Sequence, residues 1–392
     1  MAHRDLIKAI NRAAILNVIK ARGPIARMDI ARLTNLSPAT VTGLTAALIK
    51  DGLILEKQEG DSRGGRRPIL LALDASGAYV VGIKLAEDDA TLALTDLNAQ
   101  IVARQTVRLT APSPQHVCKL LAGAVRELLR AANVDRTRLI GVGVGVAGIV
   151  DSESGICRVS PYNGWVDVPF AELLGKQLQF PVYLDNNVNT LTLVERLYGP
   201  GQHVDDFLVV TIGRGVGMGI VVNGQIYRGS RGGAGEFGHM VIDPEGPPCT
   251  CGNRGCLETF VSETWLARRA QMDGMRVNSP ERLLEYASGG SRPAQAIIGN
   301  GGRVLGQAIA SMVNVFNPSL IIISGEGVRF GDHLLGPMRE AMQRHIFGPL
   351  AKDVEVRVEP LSDDTWARGA ASLVLSRIFH TPVIQEQPAA EV

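Results

Sequence analysis

Three of the five cysteines in this 392-residue chain, Cys249, Cys251 and Cys256, fall within eight residues, and His239 precedes them in an H-x9-C-x-C-x4-C pattern. Three soft thiolates and one imidazole are the donor set of a closed, tetrahedral Zn2+ site. Four protein ligands leave no open position for hydrolytic chemistry. Gly252 and Gly255, set between the thiols, let the chain wrap around an ion. The expectation is one structural zinc held by His239, Cys249, Cys251 and Cys256. An odd, clustered set of cysteines does not read as a disulfide framework. The isolated Cys118 and Cys157 read as small buried apolar residues.

A second group with chemical potential is the stretch Gly60-Asp61-Ser62-Arg63-Gly64-Gly65-Arg66-Arg67. Three arginines on a Gly-rich tip suit contact with phosphates or a minor groove, and a folded core gains nothing from them. The surrounding elements decide between that use and a merely solvated loop. Apolar residues recur at helical spacing from Leu6 to Ile19 (Leu6, Ile10, Ala14, Ile15, Val18, Ile19), and Gly23-Pro24 ends that helix. A second short helix covers Arg27 to Leu33, with Ile30 and Leu33 facing inward. Ser37 stands as N-cap and Pro38 as first residue of a third helix reaching Asp51. This third helix buries Val41, Leu44, Leu48 and Ile49. Its other face carries Ala39, Thr40, Thr42, Gly43 and Thr45. A face without bulky groups is either a solvated surface or one that lies flat in a major groove about 12 Å wide.

The next elements weight that choice. Gly52 ends the helix, and Leu53-Ile54-Leu55 and Pro68-Ile69-Leu70-Leu71 read as strands flanking the arginine tip. A basic hairpin directly after a helix-turn-helix is a wing. Residues 1–72 therefore read as a winged helix-turn-helix (α+β) for double-stranded operator DNA. Ser37, Ala39, Thr40, Thr42 and Gly43 would lie at the groove, and Arg63, Arg66 and Arg67 on the backbone. Charge agrees: residues 1–70 hold twelve Lys/Arg against six Asp/Glu, so the rest of a chain of net charge +1 is mildly acidic.

Composition bounds the remainder. Apolar residues at 45% and charged residues at 20% give a soluble balance, and the length suits two or three domains. No apolar run reaches the roughly 18–20 residues that cross a bilayer. Met1-Ala2-His3-Arg4-Asp5 is charged and leads into a helical pattern, unlike a signal peptide, so the expected location is cytoplasmic and no membrane partner is expected. From about Asp74 strands and helices alternate. Strands are expected at residues 78–84, 91–95, 101–104, 140–146, 207–212 and 219–222, and a helix at 116–132. Two rounds of a three-stranded meander, each followed by helices, point to a duplicated α/β body with a ligand cleft. The tail from Thr381 to Val392, with Pro382 and Pro388, carries no core pattern and is expected to be disordered.

Residues 211–220 (Thr-Ile-Gly-Arg-Gly-Val-Gly-Met-Gly-Ile), 235–239 (Gly-Glu-Phe-Gly-His) and 249–258 (Cys-Thr-Cys-Gly-Asn-Arg-Gly-Cys-Leu-Glu) together resemble the signature of the ROK family. That family unites bacterial sugar kinases with sugar-responsive repressors. The resemblance spans about residues 74–378, and the repressor branch adds a winged helix in front. It implies an actin-like (ribonuclease H-like) two-lobed α/β body, with one lobe at 73–190, the other at 191–378 and a tail at 379–392. It further implies that the zinc organises a sugar pocket. The implied sugar contacts are Asn163, Asn186, Asn187, Glu236, His239 and Glu258, whose amides and carboxylates match vicinal hydroxyls. Kin read Asn-Leu-Gly-Trp or Asn-Leu-Pro-Gly-Trp where this chain has Tyr162-Asn163-Gly164-Trp165.

The same resemblance argues against catalysis. Kinases of the family carry an Asp as base in a Glu-Asn-Asp-Ala-Asn type motif, whereas this chain has Asp185-Asn186-Asn187-Val188-Asn189. An amide is no base at neutral pH, and Asp185 is out of register. The first phosphate loop, Asp-x-Gly-Gly-Thr in kinases, is replaced by Lys84-Leu85-Ala86-Glu87-Asp88, and Arg214 stands where kinases usually have Thr. Ile323-Ser324-Gly325-Glu326-Gly327 keeps only part of the nucleotide-side glycine pattern. The expectation is a homodimeric or tetrameric, sugar-responsive, DNA-binding repressor of a carbohydrate operon, with no catalytic residue. The rivals are a sugar kinase with a regulatory DNA-binding head and a ligand-independent DNA-binding protein.

Overall fold

The computed structural model describes residues 2–57, 69–361 and 363–379. In chain order the elements begin with α1 (Ala2–Arg22), β1 (Ile25–Ala26), α2 (Arg27–Thr34), α3 (Pro38–Lys50), β2 (Ile54–Lys57) and β3 (Leu70–Leu73). Next come β4 (Tyr79–Leu85), β5 (Asp89–Thr95), β6 (Ile101–Arg108), α4 (Pro114–Ala131), β7 (Leu139–Val146), β8 (Ile149–Asp151), β9 (Ile156–Ser160) and β10 (Trp165–Val168). They continue with α5 (Phe170–Leu178), β11 (Val182–Asn186), α6 (Asn187–Tyr198), β12 (Phe207–Ile212), β13 (Val216–Val222) and β14 (Gln225–Ile226). The chain ends with α7 (Glu258–Val261), α8 (Glu263–Met272), α9 (Pro280–Ser288), α10 (Arg292–Phe316), β15 (Leu320–Ser324), α11 (Asp332–His345), β16 (Glu355–Val358) and α12 (Asp363–Phe379).

Packing gathers these elements into two compact units. One comprises Met1–Val144, Pro169–Leu184 and Ala370–Val392; the other comprises Gly145–Val168 and Asp185–Gly369. The segments 1–72, 73–190, 191–378 and 379–392 thus follow the motifs along the chain, whereas the compact units interleave in sequence.

In the first unit, α1, α2 and α3 bury Ile15, Leu16, Ile19, Ile30, Val41 and Leu48 around a small antiparallel sheet of order β1-β3-β2. Ser37 Oγ accepts from the Thr40 N–H at 3.1 Å and Pro38 takes the first turn, an N-cap worth roughly 1 kcal/mol. Three residues depart from the sequence reading, the first being Ile49, which is only half-buried. Leu33 is 38% exposed, because α2 is short enough for Ile30 and Ala31 to fill its inner face. Thr45 is wholly buried, which its γ-oxygen tolerates by donating to Val41 O at 2.8 Å and accepting from Arg27 Nε at 3.2 Å. Ser37, Ala39, Thr42 and Gly43 are exposed and Thr40 half-buried. The strand β1, two residues long, gave no periodic signal. Arg63, Arg66 and Arg67 lie outside the described residues.

Beyond this head, the strands form a five-stranded sheet of order β11-β7-β4-β5-β6. The glycines of β7 have a packing cause: a Cβ on Gly143 would stand 1.8 Å from Ala370 O, so α12 lies directly on the strand. The far end of α12 meets the head, where Asn17 Nδ2 donates to Phe379 O and the Lys20 ammonium sits 4.6 Å over the Phe379 ring. Phe379, assigned to the tail from sequence, closes α12 and is 1% exposed. Its ring is core. The remaining tail lies outside the described residues.

The second unit holds a sheet of order β14-β13-β12-β15-β16, with β12 antiparallel to β13 and parallel to β15. With this sheet taken from its β16 edge, both five-stranded sheets run fifth, fourth, first, second, third in their own chain order. That shared order is the duplication expected from the two meanders. A smaller sheet, β10-β9-β8, belongs to this unit. Helix α10 packs on α11 so closely that a Cβ on Gly302 or Gly306 would stand 2.2 Å from a carbonyl oxygen of Leu334 or Met338. Among the described residues, no helix is long and apolar enough to cross a membrane.

Helix α6 buries Glu195, which burial, reinforced by Glu359 and opposed by Arg368, pushes up to about 7. The folded chain therefore keeps a proton that the unfolded chain releases near pH 4.5, so stability falls as pH rises from there toward 7. Glu195→Gln should flatten this decline and raise the thermal midpoint at pH 8, but not at pH 4, by up to about 3 kcal/mol in stability. Calorimetric melting across about pH 4–8 checks it, and parallel wild-type and variant curves would contradict it.

Candidate functional site

The segment 236–258 is shaped by glycines and short bridges rather than by long elements. Val241 pairs with Cys256 and Pro248 with Arg254. The Gly255 N–H donates to Pro247 O at 2.7 Å, and the Cys249 N–H to Asn253 O at 2.8 Å. Gly255 has φ +64°, and a Cβ there would stand 1.5 Å from Asp243 O; Gly252 has φ +97°. Both positions exclude a side chain, one by contact and one by backbone conformation. The fold that results brings His239, Cys249, Cys251 and Cys256 together, with all four ligand atoms within 4.8 Å of one another. Cys249 Sγ lies 3.7 Å from His239 Nδ1, and Cys251 Sγ 3.6 Å from Cys256 Sγ. Ligands on a tetrahedral Zn2+ are separated by roughly 3.5–3.8 Å, given metal–ligand bonds of about 2.0–2.3 Å. The donor set could bind a metal ion and fits structural zinc. Cys256 is fully buried, and burial, with the neighbouring thiols, pushes it up to about 12; a bound cation is the charge that reverses this. Cys118 and Cys157, raised to about 12 and 11 by burial, stand apart from the cluster.

The same segment orients the polar residues beside it. With Nδ1 of His239 toward the thiols, Nε2 lies 3.9 Å from Glu236 Oε2. Glu236 is 43% exposed on its side chain, yet loss of hydration raises its carboxyl above the ordinary value. His239 opposes that shift and Glu258 adds to it. Glu258 opens α7, and its Oε2 accepts from the Val216 N–H at 3.2 Å. Gly215 is small because a Cβ there would stand 2.8 Å from that oxygen and 3.9 Å from the Tyr162 hydroxyl. The Arg214 guanidinium lies 4.7 Å over the Tyr162 ring. Next to Tyr162, Asn163 is buried and donates from Nδ2 to Ser160 Oγ at 3.0 Å. Gly148, where a Cβ would stand 3.0 Å from the Ser160 α-carbon, presents its carbonyl to Asn186 Nδ2 at 2.8 Å. Within one unit, Tyr162 and Glu258 therefore both border Gly215, and Glu258 and Glu236 are close enough to act on each other electrostatically.

Asn186 caps α6 by accepting from the Val188 N–H at 2.7 Å, and Asn187 begins the helix. Asp185 is fully buried. Its Oδ1 accepts from the Asn186 N–H and Asn189 Nδ2 at 2.8 and 3.0 Å, and its Oδ2 from Arg228 Nε and Nη2 at 2.9 and 2.7 Å. Each oxygen of this enclosed carboxylate thus accepts two hydrogen bonds. In the loop Gly213-Arg214-Gly215, a Cβ on Gly213 would stand 2.3 Å from Glu326 Oε2. The glycine accommodates a carboxylate, a poor neighbour for phosphate. Neither Glu326 above Gly213 nor Arg228 beside Asp185 was legible in sequence, because both partners are distant along the chain.

The match to known proteins follows the same division. The ROK family model matches residues 80–377, and the chain belongs to the ROK family. A xylose repressor of Caldicellulosiruptor bescii is 30% identical, over 97% of this chain and 99% of its own. The DNA-binding transcriptional dual regulator NagC of Escherichia coli K12 is 32% identical, over 86% and 85%. The crystal structure of a ROK transcriptional regulator, homologous to the Escherichia coli MLC protein, superposes with a TM-score of 0.86 at 28% identity. It covers 96% of this chain and 97% of that one. A ROK glucokinase from Streptomyces griseus, solved with glucose and AMPPNP, gives 0.66 at 26% identity over 76% of this chain and 99% of the kinase. Regulators match along nearly the whole length; this kinase matches three quarters of it.

Purified protein should contain about one zinc per chain. Cys256→Ser should lose the metal and melt several degrees lower, whereas Cys118→Ser should keep it. Elemental analysis decides, and full metal content in Cys256→Ser would exclude the cluster as the ligand set.

Proposed function

We propose that this chain is a sugar-responsive, DNA-binding transcriptional repressor of a carbohydrate operon, containing structural zinc and lacking sugar kinase activity. The observation that carries it is the pairing of Asn187, at the position of the family's catalytic Asp, with an Asp185 whose lone pairs are all engaged. Loss of an available base removes proton acceptance and leaves hydroxyl recognition intact. Likeness to regulators over nearly the full chain supports the same reading.

In this reading residues 1–72 are a winged helix-turn-helix. Helix α3 offers Ser37, Ala39, Thr40, Thr42 and Gly43 to the major groove, and Arg63, Arg66 and Arg67 neutralise phosphates. Two or four chains would set their heads on an inverted repeat. Asn163, Asn186, Asn187, Glu236, His239 and Glu258 would bind sugar hydroxyls. Zinc, held by His239, Cys249, Cys251 and Cys256, would fix the loop that aims Glu236 and Glu258. Sugar then acts on operator binding only through its different affinity for two conformations of the chain.

Replacing Arg63, Arg66 and Arg67 with Ala should weaken binding to every DNA sequence. The salt slope should fall by up to about 0.9 for each phosphate that is no longer neutralised. Fluorescence anisotropy across a salt series measures both, and unchanged slopes would remove the wing from the account. Glu258→Gln should leave operator affinity intact and blunt the response to sugar by roughly tenfold, the cost of one charge-assisted hydrogen bond. An undiminished response would take Glu258 out of the site.

A further inference from the structure

The ion pair between Asp185 and Arg228 has no part in metal binding or in the groups proposed to touch sugar, yet it connects the two halves of that proposed site. Asp185 is the residue before Asn186 and Asn187, and its Oδ1 holds the Asn186 N–H. Arg228 opens the segment that leads through Gly229, Gly232 and Gly235, at φ +70°, +79° and +89°, to Glu236. Along that segment the Ala234 N–H donates to Arg228 O at 3.1 Å, and Gly235 O accepts from the Met218 and Phe237 N–H groups at 3.1 and 2.6 Å. Its three glycines are in the left-handed region, and Gly232 and Gly235 lie so close to the Val150 and Met218 carbonyls that neither could carry a Cβ. A guanidinium clamped on a fully buried carboxylate is the strongest polar link available to it.

We propose that Arg228 is a positioning residue for the sugar site. Its guanidinium, bound to Asp185, sets the spacing between the Asn186–Asn187 amides and the Glu236–His239 pair. The inference rests on the sugar-sensing reading above. A sugar whose vicinal hydroxyls are held from both sides requires the two strips at a fixed separation, and misplacement by a fraction of an ångström weakens several hydrogen bonds together. Arg228 itself touches no sugar. Its side chain is about one-third exposed, against none for Asp185, so the guanidinium reaches inward from the loop to the base of α6.

A pair of variants separates positioning from plain support of the fold. Arg228→Gln strands the Asp185 carboxylate in a buried place, so a loss of stability is expected whatever its role. Adding Asp185→Asn removes the stranded charge. The double variant should recover most of the forfeited melting temperature and keep full zinc content and operator affinity. Its affinity for the sugar that stabilises the wild-type protein should remain roughly tenfold weaker or more, as read by titration calorimetry. Recovery of sugar affinity together with stability would overturn the proposal, since Arg228 would then serve only to neutralise Asp185. Loss of zinc or of operator binding in the double variant would overturn it too, by placing the pair in the general scaffold. If no free aldose in a panel binds the wild-type protein, the sugar-sensing reading fails first, and this inference with it.

Discussion

A carboxylate with no exposure to water must have its charge met entirely from within, and Asp185 is such a group. The idealised cost of burying an ion is of order 20 kcal/mol and still several kcal/mol after relaxation, so its partners are not optional. It is met by the Asn186 N–H, the side-chain amide of Asn189 in α6 and the guanidinium of Arg228. That requirement fixes where α6 starts, how Asn186 caps it, and where the chain after β14 must return. The family's chemistry would take place at the next two residues. Here those two residues are amides, and the carboxylate before them is engaged at both oxygens.

The cysteine cluster imposes a second constraint on a stretch with almost no regular structure. Between Phe237 and Leu257 the chain has only a short 3-10 turn and isolated bridges. The four side chains that could hold a metal ion lie within this stretch, and a tetrahedral ion there would add a cross-link to a segment with little regular structure. Glu236 and Glu258 flank that stretch at either end, so in the proposed reading their placement depends on the cluster. Gly213 and Gly215 are close approaches of another kind: one accommodates Glu326 and the other Glu258.

Much of this was legible in the sequence, and the reasons differ by element. The cluster His239, Cys249, Cys251, Cys256 was readable because its donor types and spacing are rare together, and the structure gathers all four. The two meanders were readable because buried strands leave long apolar runs, and each grew into a five-stranded sheet of the same order. What was not legible depended on partners far away in sequence. Thr45 looked like surface on its helix until Arg27 and the Val41 carbonyl were seen to satisfy it. Phe379 looked like tail because α12 carries little apolar periodicity, being packed on strand β7 as well as against the head. Gly143 of β7 read only as a strand residue, although Ala370 O is what forbids a side chain there. The proposed sugar contacts were found by family likeness, and no single one of them stands out from ordinary polar surface in isolation.

The most direct test of the central claim is a thermal-shift screen of the zinc-loaded protein against a panel of free sugars, each with and without Mg-ATP. The account predicts that one sugar raises the melting temperature by several degrees at saturation, as selective binding to the folded state requires, and that nucleotide changes nothing. Stabilisation that requires ATP, or accumulation of sugar phosphate in the same wells, would contradict it and return the chain to the kinases of its family.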